Sequence, residues 1–205
     1  MIKLFLSLIL ILIALPLYAN PCMQIFMSGS TSTAAPPAAC TTAVNPQDMG
    51  ASDGDRAVFR YTTSDWWSSA FIAGKTTTIC QVCVKLKLQT ETAPDYNITL
   101  YLYANSVGDD ASTVLANGNY GTIAASTLST TYQSVCFTGG SAAVENTVRY
   151  HIVLASSGVA EVNYVNASYD STCTTEDVEY SANGASDGSW VSMSTAYCLT
   201  AELYE

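Results

Sequence analysis

Charge is scarce in this chain. Asp, Glu, Lys and Arg together make up 12% of the 205 residues, with 7 basic against 17 acidic side chains. Nucleic acid is excluded as a partner on that ground, because neutralising phosphates requires clustered Lys and Arg and no cluster exists. Histidine is rarer still, with a single residue, His151. No cysteine–histidine arrangement is indicated, so a cysteine nucleophile lacks its partner in the sequence. Apolar residues at helical spacing are missing everywhere after residue 20, and no internal repeat is visible.

Long apolar runs are also absent, with one exception at the N-terminus. Met1-Ile2-Lys3 is a short positive region, residues 4–17 are almost wholly Leu and Ile, and Ala19 offers a small residue for cleavage. That is the pattern of a secretory signal peptide over residues 1–19. The rival is an uncleaved anchor, for which the 18 residues 2–19 barely span a bilayer. Cys22 does not read as a lipoprotein cysteine, since Asn20 and Pro21 precede it. The expected location is extracellular or at the cell surface, with no membrane insertion once the signal is removed.

What the chain has in abundance is Thr, Val and Tyr, with thirteen tyrosines, a composition that favours strands. Residues 20–50 are rich in Ser, Thr, Ala and Pro, without a period, and Pro36-Pro37 forbids a regular ladder. They read as an irregular arm or linker before a domain over 51–205. In that domain residues 76–88 alternate strictly. Cys80, Val82, Val84, Leu86 and Leu88 form the apolar row, and Gln81, Cys83, Lys85 and Lys87 the polar one, as in a strand half-buried in a core. Further alternating runs follow at 57–61, 67–73, 97–104, 131–138, 148–154, 162–166 and 198–204, with weaker ones at 114–115 and 122–126. Short strands between turn residues predict an all-β, antiparallel sandwich.

The order of these runs carries a resemblance. Ser69-Ala70-Phe71-Ile72-Ala73-Gly74 is followed by the run 79–88 and by Asn97-Ile98-Thr99-Leu100-Tyr101-Leu102-Tyr103. Val135-Cys136-Phe137-Thr138, Val148-Arg149-Tyr150-His151-Ile152-Val153-Leu154 and a late Gly188-Ser189-Trp190 complete it. Over residues 57–205 this order resembles the choice-of-anchor type of jelly-roll module in bacterial extracellular proteins, which is similar to carbohydrate-binding modules. The resemblance implies a jelly-roll-like sandwich and a non-catalytic, secreted or surface-displayed domain, and it brings no residue-level site with it.

Seven cysteines stand at 22, 40, 80, 83, 136, 173 and 198. In an exported chain they are read as disulfides, and the odd number leaves at least one outside an internal bridge. Zinc would want a second closely spaced pair beside Cys80 and Cys83, and a redox dithiol belongs at a helix start, not within a strand. Parity sets Cys80 inward, packed in the core, and Cys83 and Cys136 on polar rows. A bridge between Cys83 and Cys136 is therefore expected, with Cys22, Cys40, Cys173 and Cys198 as the other candidates. His151 has the opposite parity to Tyr150, Ile152 and Leu154, which predicts a histidine on the outer surface of its sheet.

Asp53 and Asp55, and Glu176 and Asp177 with Glu179, are the acid clusters with oxygen ligands for a calcium ion, although a solvated turn is the commoner use of such residues. No other cofactor is implied. The aromatic residues are more suggestive. Sugar-binding surfaces use flat rings that stack on apolar C–H faces beside polar groups that bond hydroxyls. Trp66, Trp67, Trp190, Tyr101 and Tyr103 are the candidates, with Tyr101 and Tyr103 on one polar row. Asn97-Ile98-Thr99 and Asn166-Ala167-Ser168 match the N-glycosylation pattern and are read as chance matches. The leading expectation is a non-enzymatic sandwich that binds carbohydrate or another surface ligand through aromatic rings. The second is a structural protein that assembles with copies of itself, its 20–50 arm adding to a neighbour's sheet edge. A glycosidase using paired carboxylates comes third.

Overall fold

Alternation at period two runs through nearly every described segment. The computed structural model describes residues 40–44, 54–59, 66–158, 162–171, 178–181, 190–194 and 198–205. Its strands in chain order are β1 (Ala43–Val44), β2 (Gly54–Val58), β3 (Trp66–Ile72), β4 (Thr77–Ile79), β5 (Gln81–Leu88), β6 (Asn97–Asn105), β7 (Ala111–Ala124) and β8 (Gln133–Phe137). They continue with β9 (Ala142–Val144), β10 (Arg149–Ser156), β11 (Val165–Asp170), β12 (Val178–Ser181), β13 (Val191–Ser194), β14 (Cys198–Leu199) and β15 (Ala201–Tyr204). One sheet has six strands in the order β13-β12-β3-β10-β6-β7. The other has seven, along β1-β15-β5-β11-β14 with β2 beside β11 and β8 beside β5, and β4 pairs with β9 in a small ribbon. The paired strands run antiparallel, so the fold is an all-β sandwich.

One core fills the space between the sheets. Val82, Val84, Leu86 and Leu88 of β5 join Phe137, Val165, Ala167 and Leu203 from their own sheet, and Phe71, Ile98, Leu100, Leu102, Ile152 and Leu154 from the other. Removing this apolar surface from water is the main stabilising term. Trp67 lies in the same cluster, 9% exposed. It is part of the core and not of an outer aromatic row, because Trp66 and Trp67 are neighbours on a strand and must point to opposite faces. Ser69 also points inward, where its hydroxyl accepts the Leu199 N–H at 2.9 Å and ties the two layers together.

Tyr120 of β7 closes one end of the core. It is fully buried, donates its hydroxyl to the Ile79 carbonyl at 2.6 Å and accepts from the Ala142 N–H at 3.3 Å. It thereby fastens β7 to the β4–β9 ribbon. Gly140 lies flat against its ring, where an added Cβ would come within 2.7 Å of the ring carbons. Tyr120→Phe strands a buried donor and a buried acceptor, and should lower stability by about 1–3 kcal/mol, read as a shift in urea midpoint at unchanged slope.

Three expectations change. The single strand expected over 76–88 is two strands, β4 and β5, with different partners. Cys80 stands at the break, where its N–H donates to the Tyr204 carbonyl at 2.9 Å. Cys80 is half-buried and bridged to Cys40, Cα to Cα 6.0 Å, so it is not a core thiol. Within the stretch 20–50, Cys40 is covalently tied to the sandwich, and β1 adds Ala43 and Val44 opposite Tyr204 and Leu203. The weak runs at 114–115 and 122–126 belong, as far as Ala124, to one strand, β7, whose period is interrupted by register shifts against β6 and by left-handed residues at Asn117 (φ 58°) and Gly121 (φ 104°). Ala125–Thr127 is a short 3-10 turn.

Cys83 and Cys136 stand directly opposite each other in the β5–β8 register and form a disulfide, Cα to Cα 4.0 Å. Cys83 is buried and Cys136 exposed. Cys198, fully buried, is disulfide-bonded as well. Cys22 and Cys173 lie outside the described residues. So do the expected signal peptide and the arm up to residue 39.

Candidate functional site

The outer face of the six-stranded sheet carries a second apolar layer. Because β3 turns Trp67, Ser69 and Phe71 inward, Trp66, Ser68 and Ala70 are left facing out. The adjoining β10 presents Arg149, His151, Val153 and Ala155, and β6 beyond it presents Thr99, Tyr101, Tyr103 and Asn105. Across these strands Trp66 aligns with Ala155, and Val153 aligns with both Ser68 and Tyr101. Small side chains in the middle strand let the larger rings on either side lean over it. The Trp66 and Tyr101 rings lie 5.8 Å apart and 11° from parallel. Tyr103 stands edge-on to Tyr101 at 6.1 Å.

Tyr103, Ala111 and Val153 are the buried floor of this layer, and Trp66, Tyr101 and Trp190 pack on it, half-buried. Four of the five aromatic candidates are thus brought together, and Trp67 is the exception. Burial, with Tyr101 adding to it, pushes the Tyr103 phenol above its ordinary range. The indole nitrogen of Trp190 is buried without a hydrogen-bond partner among the described residues, as is that of Trp67. Beside the rings, β7 adds polar groups in register: Thr122 opposite Thr99, their hydroxyls bonded at 2.8 Å, and exposed Asn119 opposite Tyr101. Among the described residues in these rows of β3, β10, β6 and β7, Arg149 is the one charged side chain, and Asp109 of the β6–β7 turn lies 3.6 Å from it.

His151 sits in the floor at 0% exposure. Parity alone placed it on an open surface. It is buried because this face has an apolar layer of its own. Its hydrogen bonds fix its tautomer. Asn105 donates its amide to the Ser106 carbonyl and to Asp109 Oδ1, each at 3.0 Å, which turns Oδ1 toward the imidazole. Nε2 therefore carries the proton and donates to Asn105 Oδ1 at 2.7 Å. Nδ1 then accepts from the Ser68 hydroxyl at 2.9 Å. Burial first, and the Arg149 guanidinium second, push the imidazole down to about 4, with Asp109 acting the other way.

This Ser–His–Asn chain has the residue types of a hydrolase relay with the two imidazole nitrogens exchanged. Ser68 is only 2% exposed, however, so no substrate reaches its oxygen in this conformation. The three residues share no motif in sequence, and only knowledge of strand pairing brings them together.

The acid clusters present no metal centre among the described residues, where no group of three His, Cys, Asp or Glu side chains could hold an ion. Asp55 faces a cation of the chain itself. Lys87 Nζ lies 2.5 Å from Oδ2, and the Tyr132 hydroxyl donates to Oδ1 at 2.7 Å, and these partners hold the carboxyl below its usual range against the effect of desolvation. Lys87 also lies 4.6 Å over the Tyr132 ring. Glu179 is placed in β12, in register opposite Ser68. Asp53, Glu176 and Asp177 lie outside the described residues. Of the two glycosylation patterns, Asn97 is exposed, whereas Asn166 is 3% exposed and its amide donates to Gln89 at 2.5 Å. Comparison with protein-family models and with curated proteins finds no match to this chain.

Proposed function

We propose that this chain is an exported, non-catalytic β-sandwich that binds an uncharged polysaccharide on the outer face of its six-stranded sheet. One observation carries the reading: Trp66 and Tyr101, from strands separated by β10, hold near-parallel rings 5.8 Å apart on a face with a single described cation. Flat rings offer stacking surface to sugar C–H faces, and Thr99, Thr122 and Asn119 offer hydroxyl and amide partners alongside. A formal net charge of −10 repels acidic polymers at long range and leaves neutral ones unaffected. Disulfides fit an oxidising, extracellular setting. Among the described residues no helix is long and apolar enough to cross a membrane. Export itself rests on the signal-like residues 1–19.

Self-assembly through the arm is the second reading. The Cys40–Cys80 bridge and β1 commit residues 40–44 to the chain's own sheet, so this reading requires the added strand to come from before residue 40.

Affinity electrophoresis in gels containing hydroxyethylcellulose, xylan or galactomannan tests the proposal. Wild type should be retarded by at least one neutral polymer. Trp66→Ala and Tyr101→Ala should each weaken binding about 5- to 150-fold, since a truncated stacking ring removes on the order of 1–3 kcal/mol. Wild-type mobility unchanged in every gel, or retardation indifferent to both substitutions, contradicts it.

A further inference from the structure

The Ser68–His151–Asn105 chain lies on the outward rows that carry Trp66, Tyr101 and Tyr103, and it joins β3, β10 and β6. The imidazole stands in β10, between Ala70 of β3 and Tyr103 of β6, and it bonds diagonally to Ser68 on one side and Asn105 on the other. Each bond has a fixed direction, because Asn105 is oriented by two acceptors of its own. Protonating Nδ1 reverses the Ser68 contact, so that the hydroxyl must accept where it donated, and it places a positive charge in an apolar floor.

Among the described residues the charged and titratable groups around that floor are few. Arg149 lies two residues along β10 on the same row and repels a second cation. Asp109 and Asp110 stand in the β6–β7 turn, and Asp109 is already bonded to Asn105 and faces Arg149. Tyr101 and Tyr103 come from β6, β3 and β7 contribute only uncharged Ser68, Ala70 and Ala111, and β12 brings Glu179 to the register position opposite Ser68.

We infer that His151 is an acid-operated lock on the aromatic face: the neutral imidazole pins β3, β10 and β6 beneath Trp66, Tyr101 and Tyr103, and protonation lets that face open. The layer it controls has a buried floor of three residues, Tyr103, Ala111 and Val153, against a far larger cluster between the sheets. Opening the outer layer is therefore a smaller excursion than unfolding. The effect on ligand retention rests on the binding reading above, and the lock itself does not.

A single histidine makes the test clean. Nitrogen NMR of the one imidazole should show Nε2 protonated and Nδ1 bare at pH 7, and the reverse tautomer overturns the lock. On acidification the imidazole should titrate well below free histidine, near pH 4. The indole N–H signals of Trp66 and Trp190 should move with the same midpoint while that of Trp67, in the core, stays. Arg149→Gln should raise the shared midpoint by removing the repelling cation. Trp66 and Trp190 signals that ignore the histidine titration, or Trp67 moving with them, refute the lock. Retention on hydroxyethylcellulose supplies the functional arm: it should halve near pH 4 and fall about tenfold one unit lower, as the competent fraction falls. No retention at pH 7 refutes the binding reading alone, and the NMR titration still decides the lock.

Discussion

Replacing Cys83 and Cys136 together by alanine lowers the unfolding free energy by about 4 kcal/mol, if the bridge acts on the unfolded chain as a closure of 53 residues should. The loop it closes contains β6 and β7, half of the strands that build the aromatic face. β8, the strand it anchors, pairs only with β5 among the described strands. Alanine is the better probe than serine because Cys83 is 3% exposed, and a hydroxyl there would add its own desolvation cost. Denaturant unfolding of the oxidised double variant measures the difference. A loss below about 1 kcal/mol would mean that the bridge only records a strand pairing that is already secure.

Acid should destabilise the fold through His151 before its carboxylates respond. The sign follows from the direction of the shift. In the folded chain the imidazole binds its proton only near pH 4, whereas in the unfolded chain it does so near 6.5. Between those values the unfolded state holds more protons, so stability falls as pH is lowered through that window and levels off below it. The full effect is on the order of 3 kcal/mol. Asp55 has its carboxyl held low by Lys87 and Tyr132, so its contribution disappears only at more acid pH. Stability of wild type and His151→Gln, measured from pH 7.5 to 4, separates the two. The wild-type slope should be lost in the variant, and a slope that survives the substitution assigns the acid sensitivity elsewhere.

Parity along single strands was readable before any partner was known. It gave β5 its inward row of Val82, Val84, Leu86 and Leu88, and it set Cys83 and Cys136 on rows that the register brings face to face. It separated Tyr101 and Tyr103 from Leu100 and Leu102. Period two has no way of marking where a strand changes partner, however, so the break at Cys80 was invisible, and the cysteine assigned to the core proved to be the anchor of residue 40. The same limit applies to His151. Alternation says which residues share a face but not whether that face is buried, and the residues of the outer layer, Trp66, Tyr101, Tyr103 and Trp190, are far apart in sequence. β7 showed only as two weak runs because Asn117 and Gly121 interrupt its period where its register against β6 shifts. Trp66 and Trp67, adjacent and alike in composition, could be divided between the core and the outer face only once the sheet's inside was known.

The chain's three tryptophans offer the most direct test of the aromatic face as a binding site. Each indole N–H gives one signal in a nitrogen-correlated NMR spectrum, and a neutral oligosaccharide of the polymer that retards the protein can be titrated against all three at pH 7. Trp66 and Trp190 should shift in a saturable way while Trp67, held between the sheets, does not. Shifts confined to Trp67, or none in any of the three at saturating ligand, would contradict the assignment of this face.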